Sequence, residues 1–418
     1  RIARFPWVGL SPTSDEAALQ LFRTDVAQNW RWMKREMLFA CPHGLTFGGS
    51  VSGAFARGGG EDLVRVARDF RTVHRYACER RVFTHDLTVY VLNTWGRIRA
   101  WQKPVHYMTQ QMVQHPLVDW PVRIRWLSFD EVIATGVPEG ADVLIVGGQP
   151  GTSFAGGRYW QNEALCGAVR TFVRSGGSLL ALGGATVTDS RFALEDVLGV
   201  RYEGPSCELA RRELWNRNRR VDAGYYDNEA VEAFGDLPRV KVSFAAEALP
   251  RDIAARISRT EYNLFCDSWV TPTDATRIAG PEANERTGIF LREYGQGRVA
   301  YVGGYDWLQR FYKVLVFHLA GRLADLDRLD ADNAQVSTYF YPETSLLIVY
   351  NGSASPQTTR VRFDPALAGL VGDADVRLDA QETPDGSRLV SAEQLRRGIE
   401  ITLESGQARY WRLMAERR

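Results

Sequence analysis

Residues Leu87–Trp101, LTVYVLNTWGRIRAW, decide how the chain is read. Thr88, Val89, Tyr90, Val91 and Leu92 are β-branched, aromatic or aliphatic with no breaker among them, the composition of a buried strand. The run stops at Asn93-Thr94-Trp95-Gly96 and continues as a basic, Trp-rich segment carrying Arg97, Arg99 and Trp101. A buried strand that leaves through a glycine turn opens an α/β domain, and such sheets meet ligands or neighbours at the carboxyl ends of their strands. Trp95, Arg97, Arg99 and Trp101 are therefore candidates for an interdomain contact or the edge of an active site.

Downstream, residues 86–325 alternate strands with helices. Strands are predicted at Thr88–Leu92, Val122–Leu127, Val143–Val146, Ser178–Leu182, Thr287–Arg292 and Val299–Val302, and helices at Pro104–His115, Asn162–Arg174 and Trp307–Leu323. Near-continuous apolar runs such as VLIVG and SLLALGG are buried on both faces, which predicts an open, mostly parallel sheet with right-handed crossovers. The polar, irregular stretch Arg201–Thr260 reads as an excursion from it.

The flanks differ in kind. Upstream, Leu19, Phe22, Val26, Trp30, Met33 and Met37 step by three and four, one face of a helix over Glu16–Leu38. A short apolar segment then runs into Phe47-Gly48-Gly49, and a second helix carries Leu63, Val66, Phe70 and Val73. Helix, short strand, loop, helix is one repeat of a (β/α) barrel, so residues 1–85 read as the C-terminal remnant of one. Residues 326–418 alternate instead with period two between turn formers such as Asn351-Gly352 and Pro384-Asp385-Gly386, which predicts an antiparallel β-sandwich. The chain opens RIARFPWVG without Met and mid-pattern, which predicts a fragment or processed product.

Composition narrows the classes. The chain has 418 residues, 45% apolar and 24% charged, with a net charge of +1, and so gives no reason to invoke nucleic acid or an anionic membrane surface. Five scattered cysteines show no metal or disulfide spacing, which predicts a reducing, cytoplasmic setting.

Chemistry is sparse. The predicted central sheet is amidotransferase-like, and in such sheets the strand after the SGG-type turn leads to a sharp turn bearing the nucleophile. Here Ser178–Leu182 leads to Gly183-Gly184-Ala185-Thr186, with no Cys or Ser at the apex, so a glutaminase-type hydrolase is disfavoured. Cys166 sits in a helix pattern and reads as a small buried thiol. The glycines after strands fit neither dinucleotide nor P-loop spacing and read as tight exits. His106, His115 and His318 have no metal-type partner nearby in sequence. Asp130-Glu131 and Asp306 read as acids at helix N-termini. Trp95, Trp101, Trp120, Trp126, Tyr159 and Trp160 suit interface packing better than sugar stacking.

VYVLNTWGRIRAWQ resembles the strand that opens the central domain of the lacto-N-biose/galacto-N-biose phosphorylases, with its V-x-V-L-N-x-W-G-x-x-R-x-W run. Four further blocks agree in order. Asp25-Val26-Ala27-Gln28-Asn29-Trp30 is similar to a late-barrel helix of that family, and Phe47-Gly48-Gly49 to its G-Y-G-G loop. Gly156-Gly157-Arg158-Tyr159-Trp160 and Phe172-Val173-Arg174-Ser175-Gly176-Gly177 are similar to its G-G-x-Y-W and F-V-x-x-G-G blocks.

The resemblance implies a glycosyl-transferring phosphorylase that cleaves a β-1,3-galactosyl N-acetylhexosamine with phosphate, inverts the anomeric centre and releases galactose 1-phosphate. It implies a catalytic barrel, an amidotransferase-like domain and β domains in a homodimer, with no metal or organic cofactor. The substrates of the full-length parent are then the disaccharide and inorganic phosphate. Phe47, Gly48 and Gly49 are the implied phosphate contacts. Where the family loop reads R-I-G-Y-G-G-Y, this chain has Gly44-Leu45-Thr46-Phe47-Gly48-Gly49-Ser50, so the cationic clamp and both Tyr hydroxyls are gone. No catalytic residue is expected within the chain: the general acid is expected upstream, and the isolated chain is expected to be inactive. The competing reading is a non-catalytic module that supports oligomerisation and shapes a site supplied elsewhere.

Overall fold

The computed structural model describes residues 2–4, 16–40, 44–46, 55–93, 117, 120–148, 156–188, 190–206, 237–257, 260–281, 286–305, 309–372, 375–382 and 387–416. They fall into two compact units, His85–Leu323 and a second made of Arg1–Thr84 with Ala324–Arg418.

In the second unit, β1 (Ile2–Arg4) pairs in parallel with β2 (Gly44–Thr46), Ile2 opposite Gly44 and Arg4 opposite Thr46. α1 (Glu16–Ala40) connects them and α2 (Gly60–Ala77) follows. The expected apolar stripe is present: Phe22, Val26, Trp30, Met33 and Met37 are buried, and so are Leu63, Val66 and Val73 of α2, because residues three and four apart share a helix face.

The His85–Leu323 unit is built on a nine-stranded sheet. Its strands come from β3 (Thr88–Asn93), β4 (Arg123–Ser128), β5 (Val143–Gly147) and β6 (Ser178–Leu182), then, after a small hairpin of β7 (Val187–Thr188) and β8 (Arg191–Phe192), from later segments. These are β9 (Val200–Pro205), β10 (Arg239–Phe244), β11 (Glu261–Phe265), β12 (Ser268–Pro272), β13 (Thr276–Gly280), β14 (Ile289–Tyr294) and β15 (Gly297–Val302). The order is β11-β10-β13-β14-β15-β6-β5-β3-β4, while β9 and β12 form a separate antiparallel ribbon.

The expectation of a mostly parallel sheet is corrected here. β15-β6-β5-β3-β4 is parallel throughout, but β11-β10-β13-β14-β15 is antiparallel throughout, so the sheet is mixed. The cause lies in the sequence signal. β5 and β6 are buried at every position, whereas β11 alternates buried with exposed residues and β10 buries only Val242, so both read as polar loop. The supposed excursion Arg201–Thr260 thus contributes β10 to the sheet and most of β9 to the ribbon.

Helices cover the parallel half. α3 (Phe129–Thr135) begins with a capping box: the Ser128 hydroxyl accepts from the Glu131 N–H at 3.2 Å, and the Glu131 carboxylate accepts from the Ser128 N–H at 2.8 Å. α4 (Glu163–Arg174) is capped by Asn162, and α5 (Gln309–Leu319) lies against β15 and β6. Replacing Ser128 with Ala is expected to lower stability by about 1 kcal/mol, and Ser128→Thr by much less. Denaturant midpoints of the two variants check this.

The C-terminal strands are β16 (Leu329–Ala331), β17 (Val336–Tyr341), β18 (Leu346–Asn351), β19 (Gln357–Phe363), β20 (Asp375–Ala380), β21 (Arg388–Ser391), β22 (Ile399–Leu403) and β23 (Ala408–Ala415). They form an antiparallel three-stranded sheet, β16-β19-β22, and an antiparallel five-stranded sheet, β17-β18-β23-β20-β21. Phe340, Leu347, Val349, Val361, Phe363, Leu403 and Trp411 fill one core between the two. Tyr339, Tyr341, Ile348, Tyr350 and Tyr410, on the opposite face of the larger sheet, pack with α1 and α2. β17 and β18 are therefore buried on both faces. Buried phenols need acceptors: Tyr341 donates to the Leu38 carbonyl, and Tyr350 to the Arg31 carbonyl at 2.9 Å. Among the described residues, no helix is long and apolar enough to cross a membrane.

Candidate functional site

Strand ends locate the first candidates. β1 and β2 are parallel neighbours joined through α1, so their carboxyl ends, Arg4 and Thr46, lie level on one side. Phe47, Gly48 and Gly49 follow β2 directly and lie outside the described residues. Trp95, Arg97, Arg99 and Trp101 follow β3 and also lie outside them, as do the expected helix Pro104–His115, with His106 and His115, and the acid Asp306.

The parallel half of the sheet runs β4-β3-β5-β6-β15. From β3 the chain goes to one side for β4 and then to the other for β5, which makes the carboxyl ends of β3 and β5 the topological switch point where open α/β sheets form a crevice. Asn93 and Gly147-Gly148 border it. Beyond β4, the Tyr159 ring stacks on Phe129 with centroids 5.2 Å apart, and its hydroxyl donates to Asp130 at 3.2 Å. Hydrogen bonds from the Ser128 N–H and hydroxyl hold Glu131 below the usual carboxylate range. Trp120 and Trp160 are core residues, whereas Trp126 is 48% exposed on the edge strand β4.

The turn after β6 is sealed. Gly183 has φ +61°, and a Cβ there would sit 2.1 Å from the Tyr305 hydroxyl, so the phenol fills the place a side chain would take. Tyr305 donates to Asp267 Oδ2 at 3.0 Å, and the Gly184 N–H donates to the same oxygen at 3.4 Å. Asp267 is fully buried, and burial pushes its carboxyl up to about 6. The Ser268 hydroxyl favours the charged form without a well-formed hydrogen bond. Next to it, burial pushes the Cys266 thiol up to about 12, and Sγ lies 3.5 Å from Thr287 Oγ1. A thiol held protonated and a carboxyl closed from solvent offer no nucleophile to a substrate. Cys166 is likewise buried, its thiol donating to the Trp160 carbonyl at 3.3 Å. Nothing local in FCDSWV marks Asp267: its partner Gly184 lies 83 positions earlier.

Other charged groups are engaged in pairs that the sequence could not reveal. His318 Nδ1 lies 3.1 Å from Asp252 Oδ2. Among the described residues, no group of three or more His, Cys, Asp or Glu could hold a metal ion.

The lacto-N-biose phosphorylase central domain matches residues 88–320, more than half of the chain, from the first residue of β3 to just past α5. The chain belongs to the lacto-N-biose phosphorylase family. It is 25% identical over 378 residues to the 1,3-beta-galactosyl-N-acetylhexosamine phosphorylase of Bifidobacterium longum subsp. longum, covering 80% of this chain and 46% of that protein. It is 21% identical over 310 residues to the D-galactosyl-beta-1->4-L-rhamnose phosphorylase of Lachnoclostridium phytofermentans, covering 72% and 38%. The chain thus spans less than half the length of these relatives. A GH42 beta-galactosidase of G. stearothermophilus is similar at a TM-score of 0.49 and 13% identity, covering 93% of this chain and 51% of that one.

Within this family member, two blocks that carried the resemblance have packing roles. Gly156 has φ +94°, and a Cβ there would meet Phe129 and Trp160 at 2.6 Å. A Cβ on Gly177, the last residue of the F-V-x-x-G-G block, would lie 2.2 Å from the Phe172 ring. Both glycines let backbone approach a large ring closely.

Proposed function

We propose that this chain is the C-terminal portion of a phosphorylase whose parent reaction releases galactose 1-phosphate from a β-1,3-galactosyl N-acetylhexosamine. The match over residues 88–320 carries the reading. The names of the two relatives agree on a galactosyl donor and on phosphorolysis and differ in the acceptor sugar. The galactosyl group is the shared part of the substrate and the acceptor sugar the variable one. The whole protein would work by inversion. Phosphate oxygen bonds to the anomeric carbon as the glycosidic C–O bond breaks, and a carboxylic acid gives its proton to the departing oxygen.

In this reading residues 1–85 are the last part of the catalytic barrel, residues 86–325 an amidotransferase-like domain and residues 326–418 a β-sandwich. The β1-α1-β2-α2 order, with parallel strands and a helical crossover, supports the first assignment. Phe47-Gly48-Gly49 would then leave the carboxyl end of a barrel strand, the side on which barrel sites lie, and offer backbone N–H groups to phosphate. The sealed turn at Gly183 supports a central domain without chemistry of its own; its role in shaping and assembling a cytoplasmic homodimer follows from the family reading alone. No general acid is assigned within the chain, and we expect it to be inactive alone.

Galactose 1-phosphate should form from lacto-N-biose and phosphate with the whole protein and stay at background with residues 1–418. Turnover by the purified chain would overturn its assignment as a non-catalytic portion. No phosphorolysis of any β-galactoside by the whole protein would overturn the family activity for this member.

A further inference from the structure

Between α1 and α2 lies a groove of about 560 Å³ that reaches Ala354, with an adjoining cavity of about 210 Å³ that reaches Ser405 and Gly406. Two arginines converge there on one carboxylate. Arg23 Nε is 3.3 Å from Asp62 Oδ2 and Arg65 Nη2 is 3.4 Å from Asp62 Oδ1. The Asp62 side chain is only 14% exposed, against 40% and 77% for its partners, so the acid is fixed and the guanidinium ends reach solvent.

Arg31 lines both spaces. Its carbonyl is pinned by Tyr350, and its stem passes close enough to the turn after β22 that a Cβ on Gly406 would meet its Cγ at 3.4 Å. Its guanidinium has no hydrogen-bond or ion-pair partner among the described residues. The neighbouring Asp69 cannot compensate it, because that carboxylate already accepts from Lys34 Nζ at 2.7 and 2.8 Å and from the Trp30 indole at 2.7 Å. Among the described residues, the groove is therefore lined by three arginines and two acids, Asp62 and Glu61, one cation in excess. A guanidinium fork suits a tetrahedral oxyanion, and the acids can accept from ligand hydroxyls. The volume is that of a small-ligand site.

We propose that this groove binds a sugar phosphate, with Arg31 on the phosphate and Asp62 and Glu61 on hydroxyls. The proposal does not rest on the proposed reaction, which supplies only the choice of probe.

Titration calorimetry of the 418-residue chain with galactose 1-phosphate, inorganic phosphate and galactose tests it. Galactose 1-phosphate should bind saturably and more tightly than phosphate, and galactose alone should not bind. Arg31→Leu should weaken the sugar phosphate roughly tenfold or more, since it removes a charge-assisted contact. Asp62→Asn, which removes the competing negative charge while keeping an acceptor, should strengthen inorganic phosphate severalfold. Opposite signs from the two variants cannot come from misfolding. No saturable binding, equal binding of phosphate and sugar phosphate, binding of galactose alone, or indifference to both substitutions overturns the proposal. Absence of phosphorolysis leaves it standing.

Discussion

Replacing Gly297 with Ala should destabilise the His85–Leu323 unit by about 3 kcal/mol or more, the range reached when a packed core is overfilled and cannot yield. A Cβ at Gly297 would lie 2.0 Å from the Gly177 carbonyl oxygen and 2.2 Å from that of Val173. Both obstacles are backbone, so no rotamer change relieves them. They are also held in place: Gly177 N–H donates to Phe172 O at 3.1 Å, Gln296 N–H to Arg174 O at 3.0 Å, and β15 pairs with β6 from Val299–Leu179 onward. Relief would require pulling β15 away from α4 and breaking that pairing. Gly176→Ala is the internal comparison. Gly176 has φ +111°, but its nearest neighbour is Gln296 Cβ at 3.9 Å, so only the conformational cost applies, roughly 1–2 kcal/mol. Chemical denaturation of the two variants should rank Gly297 well above Gly176. If Gly297→Ala unfolds at the wild-type midpoint, the close approach of α4 to β15 is wrong.

That comparison shows what kind of information sequence carries. α1 was legible because its apolar residues recur at helical spacing, and the strands VLIVG and SLLAL because every position is apolar. The glycines of the F-V-x-x-G-G block were found through the resemblance, but not as the seat of β15, because Gly297, whose Cβ would strike the Gly177 carbonyl oxygen, lies 120 positions away. The antiparallel half of the sheet was missed for the same reason that half-buried strands are generally weak: β10 and β11 carry charged residues such as Lys241 and Glu261 on their open face, where they form an ion pair at 2.8 Å. Nothing in the sequence sets Arg23, Arg31 and Arg65 apart, so their convergence on one groove needed the packing of the two helices. The loops chosen for function, Phe47–Gly49 and Trp95–Trp101, were found by resemblance and chain order alone.

The buried acid yields the second large effect, one that depends on pH. In the unfolded chain an Asp titrates near 3.9, whereas burial pushes Asp267 up to about 6 in the fold. Between those values the native state holds a proton that the unfolded state has lost, so stability falls as pH rises from about 4 to about 6. Above that the charged carboxylate has, among the described residues, only neutral hydrogen-bond donors, the Tyr305 hydroxyl and the Gly184 N–H, with the Ser268 hydroxyl nearby. The difference between about 4 unfolded and about 6 folded corresponds to roughly 3 kcal/mol, fully expressed above about pH 6 and absent below about pH 4. Asp267→Asn removes the ionisation and keeps the shape. Its Oδ1 can accept from Tyr305 and Gly184, and its amide nitrogen takes the place of Asp267 Oδ1, which has no hydrogen-bond partner among the described residues. Part of the gain is offset by burying the new N–H groups, so the variant should be about 1–3 kcal/mol more stable than wild type at pH 8 and no more stable at pH 4. Denaturation midpoints at the two pH values decide it. A variant less stable at pH 8 would mean that the carboxylate is charged and needed in the fold, and that the turn after β6 is held by an ion whose counter-charge has not been identified.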